Sequence, residues 1–311
     1  MTEILVIKLG ALGDFVQALG PFAAIRRHHA GDRVTLLTTP PFADLACASG
    51  YFDAVETCGR PRALDLKNWA RLLSVLNAGY RRVYDLQTSD RSSFYHSLIG
   101  FPFSRAPEWS GIAVGASHRH AEPKRDFMHT IDRQRDQLAH AGIADVPLPD
   151  VTWAKADIAR FDITAPYLLM VPGGSAHRPE KRWPAERFAA LARRLVAAGI
   201  TPVLLGAGVE AALLGAIAEA APGARNLVGR TSFVEIVALA REARAAVGND
   251  TGPLHLIAAS GIPVVALFSA SSDPALCAPR GPQGEATVTV LRADSLADLA
   301  EATVASALDL V

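Results

Sequence analysis

Short apolar runs rich in β-branched residues alternate with amphipathic stretches along this chain, and the alternation begins twice. Such alternation predicts helices laid on parallel sheets, and a restart predicts two such domains. In the first round, residues 3–8 (EILVIK) read as a buried strand bounded by Gly10. The helix that follows carries Phe15, Leu19, Phe22 and Ala23 on one face, and Pro21 inside it predicts a kink or an early stop. Residues 34–38, 54–56 and 82–86 read as further strands, and residues 66–76 as a helix with Leu72, Leu73 and Leu76 at helical spacing. Between residues 87 and 124 the periodicity fades into turn residues, aromatics and a Ser-His-Arg-His run, which predicts a long functional loop. Residues 127–141 return to helix, stopped by Gly142.

Closely spaced prolines in residues 145–150 and at Ala165-Pro166 mark a domain boundary. The pattern then restarts: strands at 167–171, 202–205, 226–228, 244–247, 263–268 and 286–291, and helices at 184–198, 210–220, 233–240, 253–259 and 295–308. The helix at 184–198 is the best specified, with Phe188, Leu191, Ala192, Leu195 and Val196 on one face and Gly199 as its stop. A total of 311 residues suits two domains of ordinary size.

Thirty-one basic side chains match thirty-one acidic ones, which disfavours a strongly basic nucleic-acid binder. Cys47, Cys58 and Cys277 show no metal spacing and predict a reducing, cytosolic setting; no secretory signal and no apolar stretch long enough to span a bilayer is visible.

Three constellations can carry chemistry. The first is G-A-L-G-D, with Gly10, Gly13 and Asp14 after the first strand. It is not the G-x-G-x-x-G fingerprint, and no acid ends the second strand to hold a ribose, which disfavours a nicotinamide dehydrogenase. The second is P-G-G-S-A-H-R-P-E-K-R-W-P, residues 172–184. Gly174 and Ser175 can receive phosphate oxygens, and Lys181 and Arg182 place cations before a helix start, against its dipole unless an anion joins them. The third is V-G-N-D-T-G-P-L-H-L-I, residues 247–257. It sets Asp250, Thr251, Gly252 and His255 where a buried strand gives way to a helix, the usual ligand crevice of an open α/β sheet. On these residues alone, Asp14, Asp250 and Thr251 acting only as helix caps remains an open reading.

Taken together, I-L-V-I-K-L-G-A-L-G-D, K-R-W-P, and N-D-T-G-P-L-H-L-I-A-A followed by G-I-P-V-V-A-L-F resemble the lipopolysaccharide heptosyltransferases, glycosyltransferase family 9. The resemblance runs from residue 3 to about 268 and implies the GT-B fold: two Rossmann-like, doubly wound α/β domains facing a cleft. The implied boundaries are 1–155 for the acceptor, 156–294 for the nucleotide-sugar, and 295–311 for a final helix packed back on the first domain. The implied reaction is an inverting, metal-independent transfer of heptose from ADP-heptose to an inner-core sugar of lipopolysaccharide or a related glycan, without a cofactor. The implied place is the cytoplasm, peripheral at the inner face of the inner membrane.

Carried onto this sequence, Asp14 matches the general base and Lys181 the lysine on the donor phosphates. Asp250, Thr251, Gly252 and His255 match the donor motif, Gly174 and Ser175 the phosphate loop, and Glu210 an acid near ribose or heptose. No D-x-D metal motif occurs. On the acceptor side the resemblance is weaker. Gly13, Arg91, Arg119 and Lys124 are its candidates, and residues 118–136 hold five basic and four acidic side chains, with His118, His120 and His129 in addition. Two other functions fit the same motifs: a nucleotide-sugar epimerase or hydrolase of this fold, and a non-catalytic nucleotide-sugar-binding module.

Overall fold

The computed structural model describes residues 1–99, 106–174 and 177–309. The chain divides into two compact units, Met1–Pro147 and Leu148–Val311.

In the first unit the strands are β1 (Glu3–Ile7), β2 (Arg33–Leu37), β3 (Ala54–Glu56), β4 (Arg82–Asp85), β5 (Glu108–Gly111) and β6 (His118–Arg119). Its helices are α1 (Leu12–Gln17), α2 (Leu19–His28), α3 (Ala43–Ser49), α4 (Leu66–Leu76), α5 (Asp90–Leu98) and α6 (Thr130–His140). The sheet is parallel throughout, in the order β3-β2-β1-β4-β5-β6. β1 is central, which explains why residues 4–7 are an unbroken apolar run: each is at most 1% exposed. The kink expected at Pro21 is a break three residues earlier, at Ala18 between α1 and α2. Leu72, Val75 and Leu76 are the buried face of α4, while Leu73, expected with them, is 40% exposed.

The stretch expected to be a long loop holds α5, β5 and β6. Helix α5 is too polar to show an apolar period. It is set locally instead: Ser89 accepts the Ser92 N–H and Ser92 accepts the Ser89 N–H, a reciprocal cap.

In the second unit the strands are β7 (Tyr167–Val171), β8 (Thr201–Leu204), β9 (Arg225–Asn226), β10 (Ala246–Asn249), β11 (Val264–Ser269) and β12 (Val288–Ala293). The helices are α7 (Ala185–Ala197), α8 (Ala211–Ala220), α9 (Phe233–Glu242), α10 (Gly252–Ala258), α11 (Pro274–Cys277) and α12 (Glu301–Ala307). The order β12-β11-β10-β7-β8-β9 is again all parallel. Counted from each unit's own first strand, both sheets run 3-2-1-4-5-6, so the crossover reverses direction between β1 and β4 and between β7 and β10. Loops leaving the C-terminal ends of those strands are where such sheets bind ligands.

The expected face of α7 is buried at Phe188, Leu191, Ala192 and Leu195, with Val196 at its rim, 37% exposed. These side chains pack with Leu168, Trp183, Leu204, Val247 and Leu267 into one core. Truncating a fully buried leucine such as Leu191 to alanine costs about 2–5 kcal/mol.

Val151 and Ala154 belong to the second unit, where Arg241 donates to their carbonyls. Within the second unit the last helix lies on α7. Val304, Ala305 and Leu308 are members of the second unit's core, and Arg194 pairs with Glu301 at 2.9 Å. The segment before it is a short 3-10 turn, Leu296–Asp298, because Ser295 caps it and Leu299 turns inward to give its carbonyl to Trp183.

Candidate active site

Each unit gathers polar side chains at its crossover reversal. In the first unit Lys8 follows β1 and Asp85 ends β4, both buried. The Lys8 ammonium donates to the Leu86 carbonyl at 2.9 Å. Asp85 Oδ1 accepts the N–H groups of Gln87 and Thr88, each at 3.0 Å, while Oδ2 has no hydrogen-bond partner. Burial pushes the Asp85 carboxyl up to about 6, although its hydrogen bonds and Lys8 pull the other way. Burial likewise lowers the Lys8 ammonium, against the pull of Asp14 and Asp85.

These ends floor a polar pocket of about 150 Å³ lined by Lys8, Asp14, Arg125, Arg133, Gln134 and Gln137, among others. Asp14 stands on the first turn of α1, exposed, with Oδ2 3.3 Å from the Ala11 N–H. Gly13 is beside it on the same turn. Gly10 precedes them at φ +114°, and a Cβ there would lie 2.7 Å from the Phe42 ring, so the loop requires glycine.

Two guanidinium groups, Arg125 and Arg133, face this pocket and repel each other enough to lower Arg125 further than burial alone. Gln134 and Gln137 anchor their amide nitrogens on protein carbonyls and leave their Oε1 atoms buried without partners. Paired cations beside unpaired acceptors are what an anion bearing hydroxyl groups would satisfy. A larger cavity of about 620 Å³ borders the opposite, N-terminal ends of β4 and β5, away from these groups.

In the second unit β10 runs two residues further than its apolar run suggested, through Gly248 and Asn249. Gly248 allows this because Val171 of the neighbouring strand approaches so closely that a Cβ would lie 2.7 Å from it. Asn249 is fully buried and fastens three segments. Its Nδ2 donates to the Pro172 and Gly173 carbonyls at 2.8 and 3.0 Å, and its Oδ1 accepts the Trp183 N–H at 2.9 Å.

Next to it, Asp250 Oδ2 receives Lys181 Nζ at 3.1 Å and the Ser272 hydroxyl at 2.9 Å. His255 Nε2 lies 3.6 Å from Oδ1, an ion-pair distance when protonated and too long for a hydrogen bond. Burial raises the Asp250 carboxyl, but His255 and Lys181 outweigh it and hold it down at about 2.

Thr251 occupies the cap position of α10, yet its hydroxyl makes no capping bond and is buried without a partner. Capping is therefore not what the side chains of Asp250 and Thr251 do here. Gly252 opens the helix.

The glycine loop after β7 is clamped from two sides. Glu210 accepts the Gly174 N–H on Oε1 and the Ala207 N–H on Oε2, both at 2.8 Å, and Arg182 donates to the Gly174 carbonyl at 2.6 Å. A Cβ at Gly173 would fall 1.8 Å from Glu210 Oε1. Ser175 lies outside the described residues.

The sequence model of glycosyltransferase family 9 (heptosyltransferase) matches residues 69–299, most of the chain. The chain belongs to glycosyltransferase family 9. This family 9 glycosyltransferase is 27% identical over 281 residues to lipopolysaccharide heptosyltransferase 1 of Pseudomonas aeruginosa, spanning 86% of this chain and 78% of that one. Its fold is that of a family 9 glycosyltransferase from Veillonella parvula (TM-score 0.83, 20% identity, 99% of this chain and 96% of that one). It is also that of E. coli ADP-heptose lps heptosyltransferase II (TM-score 0.79, 20% identity, 99% and 98%). The GT-B fold expected from the motifs is thus observed.

The sequence motifs of this glycosyltransferase located Asp14, Gly174, Lys181, Glu210, Asp250, Thr251, Gly252 and His255 at the two reversals. They did not locate the cations of the first pocket. Arg91 is exposed on the first turn of α5, Arg119 is exposed on the edge strand β6, and Lys124 is exposed before the 3-10 turn Arg125–Phe127. None of these three lines the Asp14 pocket; Arg125 and Arg133 do. Asp85, Asn249 and Ser272 were missed as well. The available signal was a polar residue ending an apolar strand at positions 85 and 249.

Proposed function

We propose that this enzyme moves heptose from ADP-heptose to an anionic sugar of the lipopolysaccharide inner core. The observation that supports it best is the Asp14 pocket, where an exposed carboxylate, two guanidinium groups and two unpaired amide oxygens line one small space. An acidic sugar offers a carboxylate or phosphate to Arg125 and Arg133, hydroxyl donors to Gln134 and Gln137, and a nucleophilic hydroxyl to Asp14.

Asp14 takes the proton of that hydroxyl as its oxygen attacks the anomeric carbon. The bond to the diphosphate breaks on the opposite face, which inverts the configuration. The electron pair leaves with ADP, where Lys181 meets the developing charge. No metal ion is required in this scheme, because Lys181 supplies the cation. Asp250 orients Lys181, and Glu210 and Asn249 fix the loop that carries Gly174.

We place the enzyme in the cytoplasm, at the membrane that holds its acceptor. No helix among the described residues is long and apolar enough to cross a membrane. A peripheral contact is supported by Leu64 and Leu66, 93% and 79% exposed, among the exposed cations Arg60, Arg62 and Lys67. Flotation with anionic vesicles tests this contact: Leu64→Glu with Leu66→Glu should release the protein, and unchanged flotation would reject it.

Calorimetric titration with ADP, UDP, GDP and CDP, followed by incubation of ADP-heptose with and without a core acceptor, tests the transfer. Selective ADP binding and acceptor-dependent ADP release are expected. Preference for another nucleotide would overturn the donor, and ADP release without acceptor would favour a hydrolase.

A further inference from the structure

Beside the Asp14 pocket, along α6, a second polar cluster takes no part in the chemistry above. We propose that His120, Asp136 and His140, completed by Glu122, form a binding site for one divalent transition-metal ion such as zinc. Asp136 and His140 stand four residues apart on α6 and share one face of the helix. His120 comes from the residue after β6. One ligand atom from each of the three lies within 4.8 Å of the other two.

His140 turns Nδ1 towards Asp136, 3.9 Å from its Oδ2, and Nε2 towards Glu122, so its ring must rotate to bring Nε2 to an ion shared with Asp136. His140 Nδ1 is 2.8 Å from the Asp136 carbonyl oxygen, which can only accept, so Nδ1 carries the proton. In the neutral ring the lone pair is then on Nε2. That atom lies 3.7 Å from Glu122 Oε1, another acceptor. A proton on Nε2 or a metal ion between the two atoms reconciles them. An Nδ1–H held by a backbone carbonyl is also the usual support of a metal-bound histidine.

His120 is 1% exposed and presents Nε2 to Asp136 Oδ2 at 2.7 Å, while its Nδ1 has no partner. Its only polar anchor is therefore the cluster. Burial favours the neutral imidazole, whose one proton sits on Nε2 against the Asp136 carboxylate; a metal ion binding there displaces that proton. Two imidazoles and two carboxylates are a nitrogen and oxygen set suited to zinc or to another first-row divalent ion.

Ligand atoms around a zinc ion at about 2.0–2.1 Å sit a little over 3 Å apart. The present separations need turns of His140 and Glu122, both exposed, and an opening of the 2.7 Å contact between His120 and Asp136. The charge of Arg125 opposes the site, and Asp126 holds that guanidinium at 3.1 Å. A bound ion would tie the segment 120–129 to α6, and that segment carries Arg125 into the Asp14 pocket.

The test is a zinc titration of chelator-stripped, full-length protein against a chromogenic competitor, with cobalt as a spectroscopic probe and melting temperature as a second readout. One equivalent should bind with a dissociation constant of about 10 μM or below. Zinc should raise the melting temperature of the unmodified protein. His140→Gln, at an exposed position on the last helical turn, should weaken binding by at least about tenfold and abolish the thermal shift. Glu122→Gln should weaken it less. No saturable binding below about 100 μM, or equal binding by His140→Gln, would overturn the site.

Discussion

Lys181 Nζ rests 3.1 Å from Asp250 Oδ2, with both side chains mostly out of solvent at 14% and 11% exposure. The lysine assigned to the leaving diphosphate is thus already held by a carboxylate that Ser272 and Asn249's strand keep in place. Lys181→Ala should weaken ADP by about tenfold to a hundredfold and leave adenosine nearly unaffected. Calorimetry with both ligands decides it; equal loss for the two would remove the phosphate contact.

The same pair sets an acid limit. The folded Asp250 carboxyl is held near 2, below its ordinary value of 3.8. The unfolded chain therefore binds the proton first, and the stabilisation is present above pH 4 and lost as pH falls towards 2. The contribution is about 2 kcal/mol. Denaturant midpoints between pH 5 and 2 should fall less steeply for Asp250→Asn than for the unmodified protein, and parallel curves would contradict the assignment.

Asp85 carries the opposite sign. Its folded carboxyl titrates at about 6, above the unfolded value of 3.8. The folded state holds the extra proton, so stability declines as pH rises from about 4 to 6, and the cost of the buried charge persists above that. Asp85→Asn should gain on the unmodified protein as the pH rises through this window. A difference in stability that does not change with pH would mean that the carboxyl titrates normally.

Asp14→Asn keeps the shape of the α1 loop and removes the base. Turnover should drop by about 10²–10⁴-fold with the ADP dissociation constant unchanged. A comparable loss in donor binding would reassign Asp14 to positioning.

Arg133→Ala and Arg125→Ala should raise the acceptor KM far more than they lower kcat, because the contact is made in ground and transition states alike. Acceptors stripped of their anionic group should be insensitive to both substitutions. If those acceptors lose as much as intact ones, the guanidinium groups are structural.

The sequence disclosed the fold through burial. Central strands such as residues 4–7 and 167–171 are apolar throughout because helices cover both faces. The polar helix α5 and the two-residue strand β6 carry no such stripe, and a local serine cap or a single pairing register specifies them. The proposed donor half was legible for a similar reason: Lys181, Asp250 and His255 sit in short contiguous motifs after the neighbouring strands β7 and β10. The pocket cations were not, because Arg125 and Arg133 reach Asp14 from more than a hundred residues away, and only the folded 3-10 turn Arg125–Phe127 and α6 select them over Arg119 and Lys124. Glu210 has a second task that the sequence did not show: each of its oxygens accepts one backbone N–H of the loops around it.

The sheet borders carry a consequence for handling this protein at high concentration. Three of the four border strands, β3, β6 and β9, are only two or three residues long and offer almost no template for another chain to pair with. The fourth, β12, is six residues long with Thr289, Val290 and Arg292 turned to solvent. Self-association by strand addition therefore has one obvious door. Val290→Lys would close it without disturbing either crossover reversal.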